Sequence, residues 1–92
     1  MNVKDAVMRA KSYVSELFAD ESPRNIGLEE VELDHSANEW IVTVGFSRPW
    51  DEPKGALAAL ANSPITRRVY KVVRISDSTG ETISVKNRDL QP

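Results

Sequence analysis

The amino-acid sequence predicts a small α+β domain, with one N-terminal helix packed on a four-stranded antiparallel meander sheet. Two observations lead to this fold class: an apolar stripe at helical spacing near the N-terminus, and four later segments in which apolar and polar residues alternate between turn formers. The order α-β-β-β-β favours a meander because consecutive antiparallel strands usually lie side by side. A chain of 92 residues is the size of one domain, so we expect residues 1–92 to form a single domain.

The predicted helix covers residues 3–19. Asn2 and Asp5 stand at the spacing of a capping box, and Pro23 disfavours helical conformation in the residue before it. The apolar stripe consists of Val3, Ala6, Val7, Ala10, Val14, Leu17 and Phe18. We therefore expect Val7, Ala10, Val14, Leu17 and Phe18 to pack against the sheet, with Leu17 buried.

The four predicted strands alternate with a period of two. They cover residues 26–34, 39–48, 66–76 and 81–86. Trp40 begins the clearest alternation and is expected in the core, and Ile83 and Val85 are expected to point inward from the last strand. Residues 77–80 have Asp first and Gly last, which is typical of a tight turn.

A long connection, residues 49–65, separates the second and third strands. Connections of this length in a compact domain are usually functional or disordered. Its composition leaves two structures open, one or two helical turns in the Ala-rich stretch or a mobile loop. Trp50, Leu57 and Leu60 are expected to anchor a partner. The alternative for Trp50 is that its side chain folds back and covers the core. The polar tail, residues 87–92, is expected to be frayed.

The composition excludes several kinds of chemistry. The chain has no cysteine and one histidine, which excludes disulfides, thiol nucleophiles and thiolate metal sites. His35 is interpreted as an exposed turn residue rather than a metal ligand or a base, because no second histidine or cysteine can complete a ligand set. The four glycines are scattered, so no phosphate-binding loop is present. We therefore expect a protein that is not an enzyme and needs no cofactor or metal.

The distribution of charge bears on partners. Residues 1–39 hold four basic and nine acidic side chains, and residues 40–92 hold eight basic and five acidic ones. Such a polarised chain can orient a charged partner, while its net charge of −2 argues against nucleic acid. The longest apolar run is too short for a membrane span, and no secretory signal is visible. We expect a cytoplasmic protein that binds neither nucleic acid nor membrane.

One face of the predicted sheet is expected to lie away from the helix. Arg68, Tyr70 and Arg74 share this face, which favours either a patch for an acidic partner or cross-strand pairs with neighbouring acids. Ile41 and Val72 make the same face less polar than exposure to solvent requires. Either the long connection folds over it or another chain does.

The segment from Tyr70 to Glu81 and the strand that begins at Trp40 resemble the PepSY domain. That family typically shows an aromatic-x-Val strand that continues into Asp-x-x-Thr-Gly-[Glu/Lys], and Asp77 to Glu81 resemble this motif with one residue fewer between Asp and Thr. The outline of a helix followed by a sheet is also similar to cystatin-like folds. The resemblance covers most of the chain, and it implies a small non-catalytic module that restrains or recognises another protein.

Three classes of function follow from these observations. The preferred one is a protein-interaction module, such as an inhibitor, an immunity-type blocker or a small accessory subunit, acting through the exposed sheet face and residues 49–65. Its expected partner-binding residues are Trp50, Leu57, Leu60, Arg68, Tyr70, Arg74 and Ile41. The alternatives are a structural homodimer whose sheets pair or stack, and a small-ligand binder with a pocket between sheet and loop.

Overall fold

The computed structural model describes residues 1–51 and 68–88. In these ranges the main elements are α1 (Val3–Leu17), β1 (Arg24–Asp34), β2 (Glu39–Ser47), β3 (Val69–Ser76) and β4 (Thr82–Asn87). The strands form one antiparallel sheet in the order β1-β2-β3-β4, so the predicted α+β meander is confirmed. The expectations for residues 52–67, among them Leu57 and Leu60, and for residues 89–92 lie outside the described residues.

Helix α1 begins with the predicted capping box. The Asn2 side chain accepts a hydrogen bond from the Asp5 backbone N–H at 2.9 Å, and the Asp5 carboxylate accepts one from the Asn2 backbone N–H at 3.5 Å. The helix buries Ala6, Ala10 and Val14 against the sheet. Two of these three are alanines, which lets the helix axis approach the strands closely.

The predicted burial of Leu17 is wrong. Leu17 is 49% exposed, because it is the last residue of α1 and lies off the buried stripe. The chain leaves the helical conformation at Phe18, whose ring packs on Phe46 with the centroids 5.6 Å apart. Phe18 therefore closes this end of the core.

The core lies between α1 and the face of the sheet toward it. Val42, Val44 and Phe46 of β2 and Val73 and Ile75 of β3 are fully buried there. Trp40 is only partly buried at the margin of this cluster.

The inward orientation predicted for Ile83 is also wrong. The register between β3 and β4 shifts between Arg74 and Ile75, so Ser84 pairs with Arg74 and Thr82 pairs with Ile75. Ile83 is the extra residue at this bulge and is 53% exposed.

Strand β1 contains two register shifts, and the one between Leu28 and Glu30 determines which side chains face the helix. Leu28 pairs with Val44 and Glu30 pairs with Thr43, so the register shifts by one residue between them. Leu28 and Val31 therefore both lie on the helix side of the sheet, and Glu30 lies on the other side. The bulge thus separates apolar from acidic side chains along one strand.

Candidate functional site

The face of the sheet that points away from α1, hereafter the outer face, is the candidate site. Residues paired across antiparallel strands share a face, so the register defines its members. They include Glu30, Glu32, Ile41, Thr43, Gly45, Tyr70, Val72, Arg74, Ser84 and Lys86. The predicted placement of Ile41, Tyr70 and Arg74 on one face is confirmed.

Tyr70 lies at one end of the outer face, opposite Gly45 of β2. A Cβ atom at position 45 would lie 3.0 Å from Tyr70 Cε1 and 3.0 Å from Arg68 Nη2, so the glycine makes room for both side chains. Arg68 Nη2 also donates a hydrogen bond to the carbonyl oxygen of Asn25 at 3.1 Å. Arg68 and Tyr70 are therefore held together over the backbone of β2.

Arg88 completes this arrangement from the end of β4. Its guanidinium lies 4.2 Å from the centre of the Tyr70 ring, and its backbone N–H donates to the Tyr70 carbonyl at 3.1 Å. Arg88 Nε is buried and has no hydrogen-bond partner in the part of the chain that the structure describes. The expectation of fraying is thus wrong for Asn87 and Arg88, because Asn87 belongs to β4 and Arg88 stacks on Tyr70.

Arg74 is engaged in ion pairs across the sheet. Its Nη1 lies 3.1 Å from Glu39 Oε1 and 3.9 Å from Asp34 Oδ2. Arg74 therefore forms cross-strand ion pairs, which is the second of its two predicted roles. The basic side chains beside Tyr70 are those of Arg68 and Arg88.

Asp34 also stabilises the turn between β1 and β2 by accepting hydrogen bonds within it. Its carboxylate accepts hydrogen bonds from the Ser36 hydroxyl at 2.8 Å and the Ala37 backbone N–H at 3.2 Å. These bonds, with a smaller contribution from Arg74, lower the pKa of Asp34 below its ordinary value. His35 is exposed in the same turn.

The β1 edge of the outer face is acidic. Glu30 and Glu32 on β1 are exposed and make no ion pair with any residue that the structure describes. Between them and Ile41 lies a cavity of about 320 Å³ whose floor includes Thr43. The outer face therefore runs from acidic at β1 to basic at β4.

Trp50 lies just beyond the end of β2, in the short turn Pro49–Asp51. Its side chain is 61% exposed, which excludes a position in the core. The Arg48 guanidinium lies 5.1 Å from the ring centre, with Arg48 Nε 2.7 Å from Asp51 Oδ2 and Nη1 3.4 Å from Glu21 Oε1. The hydrogen bond to Asp51 is the main cause of the raised pKa of Arg48. Trp50 is thus exposed next to a fixed cation.

Gly45 and Arg88 were not among the expected site residues. Gly45 carries a usable signal, because a glycine in the middle of a strand often marks a close approach of another group. Arg88 carries none, since its role depends on the length of β4 and on the register that brings it beside Tyr70.

Comparison with known proteins returned no family to which the chain can be assigned. No protein-family model, curated protein or solved structure matches it. The resemblance to PepSY and cystatin-like domains therefore stays a prediction. Within residues 1–51 and 68–88, no three His, Asp or Glu side chains are grouped so as to hold a metal ion. No helix in those ranges combines the length and the apolar character needed to cross a bilayer.

Proposed function

We propose that this chain is a non-catalytic protein-interaction module that binds a partner protein through its outer face. The observation that carries the proposal is the arrangement of Tyr70 between Gly45 and Arg88, with Arg68 beside it. Tyrosine and arginine are the side chains most often found among the few residues that dominate binding energy. Side chains already fixed in the free protein lose little conformational entropy on binding.

The surroundings of Tyr70 support the same function. Ile41 and Val72 form an apolar centre on the outer face, and charged side chains surround them. An apolar centre with a polar rim is the usual anatomy of a protein interface. The module would act as an inhibitor, an immunity-type blocker or an accessory subunit by covering a surface of its partner. Its location in the cytoplasm stays a prediction.

Trp50 is proposed as a second anchor of this interface. It is exposed at the end of the sheet where Gly45 pairs with Tyr70, and Arg48 restricts its position. A large exposed indole next to a fixed arginine offers apolar area and charge to one partner.

A second candidate function, a structural homodimer, is favoured by the charge order of the outer face. If two copies stack their outer faces about a two-fold axis parallel to the strands, β1 of one copy lies over β4 of the other. Glu30 and Glu32 of each copy would then face Lys86 and Arg88 of its mate, so the face is complementary to itself.

Affinity purification from the native host with matched variants tests the proposal. Val72→Glu puts a charge in the centre of the outer face, and Tyr13→Glu puts the same charge on the exposed surface of α1. We expect one protein to co-purify with the wild type and with Tyr13→Glu and to be lost with Val72→Glu. Circular dichroism checks that both variants are folded.

Two outcomes contradict the proposal. In one, Val72→Glu and Tyr13→Glu retain the same proteins, so the outer face binds nothing specific. In the other, the isolated chain is a dimer by light scattering and Val72→Glu makes it a monomer, which supports the homodimer instead.

A further inference from the structure

An open apolar groove lies between α1 and β1, on the opposite side of the sheet from the outer face. Its volume is about 370 Å³, and its walls are Val3, Lys4, Val7, Met8, Leu28 and Val31. Met8 is 66% exposed and Leu28 is 42% exposed, and both line this groove. Neighbouring exposed apolar side chains of this kind are typical of a surface that another molecule covers.

Strand β1 forms the border of this groove and is an edge of the sheet. Among the described strands only β2 pairs with it, and the pairing is regular from Glu30↔Thr43 to Asp34↔Glu39. No strand in residues 1–51 and 68–88 pairs with the backbone N–H and C=O groups on its other side, which is the kind of edge that accepts a further strand. Addition of a strand to such an edge is a common way of binding an extended peptide.

The side chains of β1 determine which types of side chain a strand paired with it should have. On the helix side an added strand would lie beside Leu28 and Val31 and would cover the groove. On the outer face it would lie beside Glu30 and Glu32, which have no ion pair within the described part of the chain. Side chains alternate between the two faces, so apolar and basic residues must alternate along the added strand.

We infer that β1 and the groove bind an extended segment of a partner protein in which apolar residues alternate with Lys or Arg. This site shares Glu30 and Glu32 with the outer face, but it does not rest on the interface proposed there. Pairing with β1 of a second copy is disfavoured, because Glu30 and Glu32 would meet the same acidic side chains across the two-fold axis. The site is therefore suited to a different chain.

Two synthetic peptides of nine residues test the inference on the intact protein. One alternates valine with lysine and the other alternates valine with glutamate, and each carries a fluorescent label at one end. We expect the lysine peptide to bind at least about tenfold more tightly by fluorescence anisotropy, and to bind more weakly as salt is added. Amide resonances of residues 28–34 should shift on binding in NMR spectra.

Variants locate the site. Leu28→Glu should weaken binding of the lysine peptide at least about tenfold. Ile83→Glu, at another exposed apolar position on the strand at the opposite edge, should leave binding unchanged. The double variant Glu30→Lys, Glu32→Lys should prefer the glutamate peptide. If Leu28→Glu fails to fold, Met8→Glu on the helix wall provides the same measurement.

The inference is overturned if the two peptides bind equally, or if Leu28→Glu and Ile83→Glu weaken binding alike. It is also overturned if the free chain forms oligomers that grow with concentration and that Leu28→Glu dissolves, because a second copy would then occupy the edge. Val72→Glu should retain peptide binding, so failure of the outer-face proposal is distinguishable from failure of this one.

Discussion

The ring of Tyr70 packs so closely on Gly45 that a Cβ at position 45 would lie 3.0 Å from Tyr70 Cε1. The missing side chain on β2 allows the tyrosine to lie over the neighbouring strand instead of standing upright from β3. Arg88, at the end of β4, then stacks on the same ring. A residue of β2 and the residue just after β4 thus fix the proposed anchor on β3 before any partner arrives.

Gly45→Ala should destabilise the protein by about 1–3 kcal/mol, the usual cost of inserting a methyl group into a tightly packed site. The new Cβ would displace Tyr70 and Arg68, each 3.0 Å away. Urea titration measures the change in the free energy of unfolding. In a Tyr70→Ala background the same substitution should cost less, because one of the two neighbours is gone.

Gly27→Ala is the matched control for this prediction. Its Cβ would lie 3.6 Å from the nearest atom, Arg68 Nη2, which is an ordinary contact. We expect a change within about 0.5 kcal/mol. If Gly45→Ala and Gly27→Ala lower the free energy of unfolding equally, the close packing of Tyr70 on Gly45 does not restrict substitution at position 45.

Leu17→Ala should cost less than about 1 kcal/mol, because half of the side chain is already in water. Ile75→Ala, in the fully buried cluster, should cost about 2–5 kcal/mol. Thermal and urea unfolding of the two variants measure the difference. A larger loss from Leu17→Ala than from Ile75→Ala would contradict the placement of the core.

Trp40 and Asp77 connect the start of β2 to the turn between β3 and β4. Trp40 Nε1 donates a hydrogen bond of 2.7 Å to Asp77 Oδ1. Asp77→Ala should therefore cost about 1.5–3 kcal/mol, the range for a hydrogen bond to a charged group. In a double-mutant cycle with Trp40→Phe the two losses should not add, and strict additivity would show that the bond contributes nothing.

The pKa of Asp34 is lowered mainly by the hydrogen bond from Ser36, so its ionised form is favoured by folding. A group with a lowered pKa in the folded state contributes stability above its ordinary value of 3.8, and this contribution is lost as the pH falls through the folded pKa. The stability difference between wild type and Asp34→Asn should therefore shrink below about pH 3.8. Unfolding measured from pH 7 to pH 2 checks this, and a constant difference would contradict it.

Much of the fold could be predicted because short segments of the sequence determine their own secondary structure. The capping box at Asn2 and Asp5 and the alternation from Trp40 to Phe46 each specify one element without reference to the rest of the chain. The errors at Leu17 and Ile83 arise from effects that periodicity does not contain. A helix that ends at Leu17 and a bulge in β4 each move one apolar residue away from the core.

The candidate site was harder to predict than the fold. Alternation correctly placed Tyr70, Ile41 and Arg74 on one face, but their charge partners depend on register. Arg74 is paired with Glu39, while Arg88, from a segment expected to be frayed, stacks on Tyr70. The position of the Trp50 side chain could not be predicted either. The sequence leaves open whether the indole is exposed or covers the core, and the structure shows that it is exposed.

Site-specific photo-crosslinking in the native host tests the central claim, that the outer face binds a partner protein, most directly. A photoreactive phenylalanine analogue replaces Val72 on the outer face, and in a parallel strain it replaces Tyr13 on α1. We expect one discrete adduct with a different protein at position 72 and none at position 13. The same adducts at both positions, or an adduct at position 72 that contains only two copies of this chain, would contradict it.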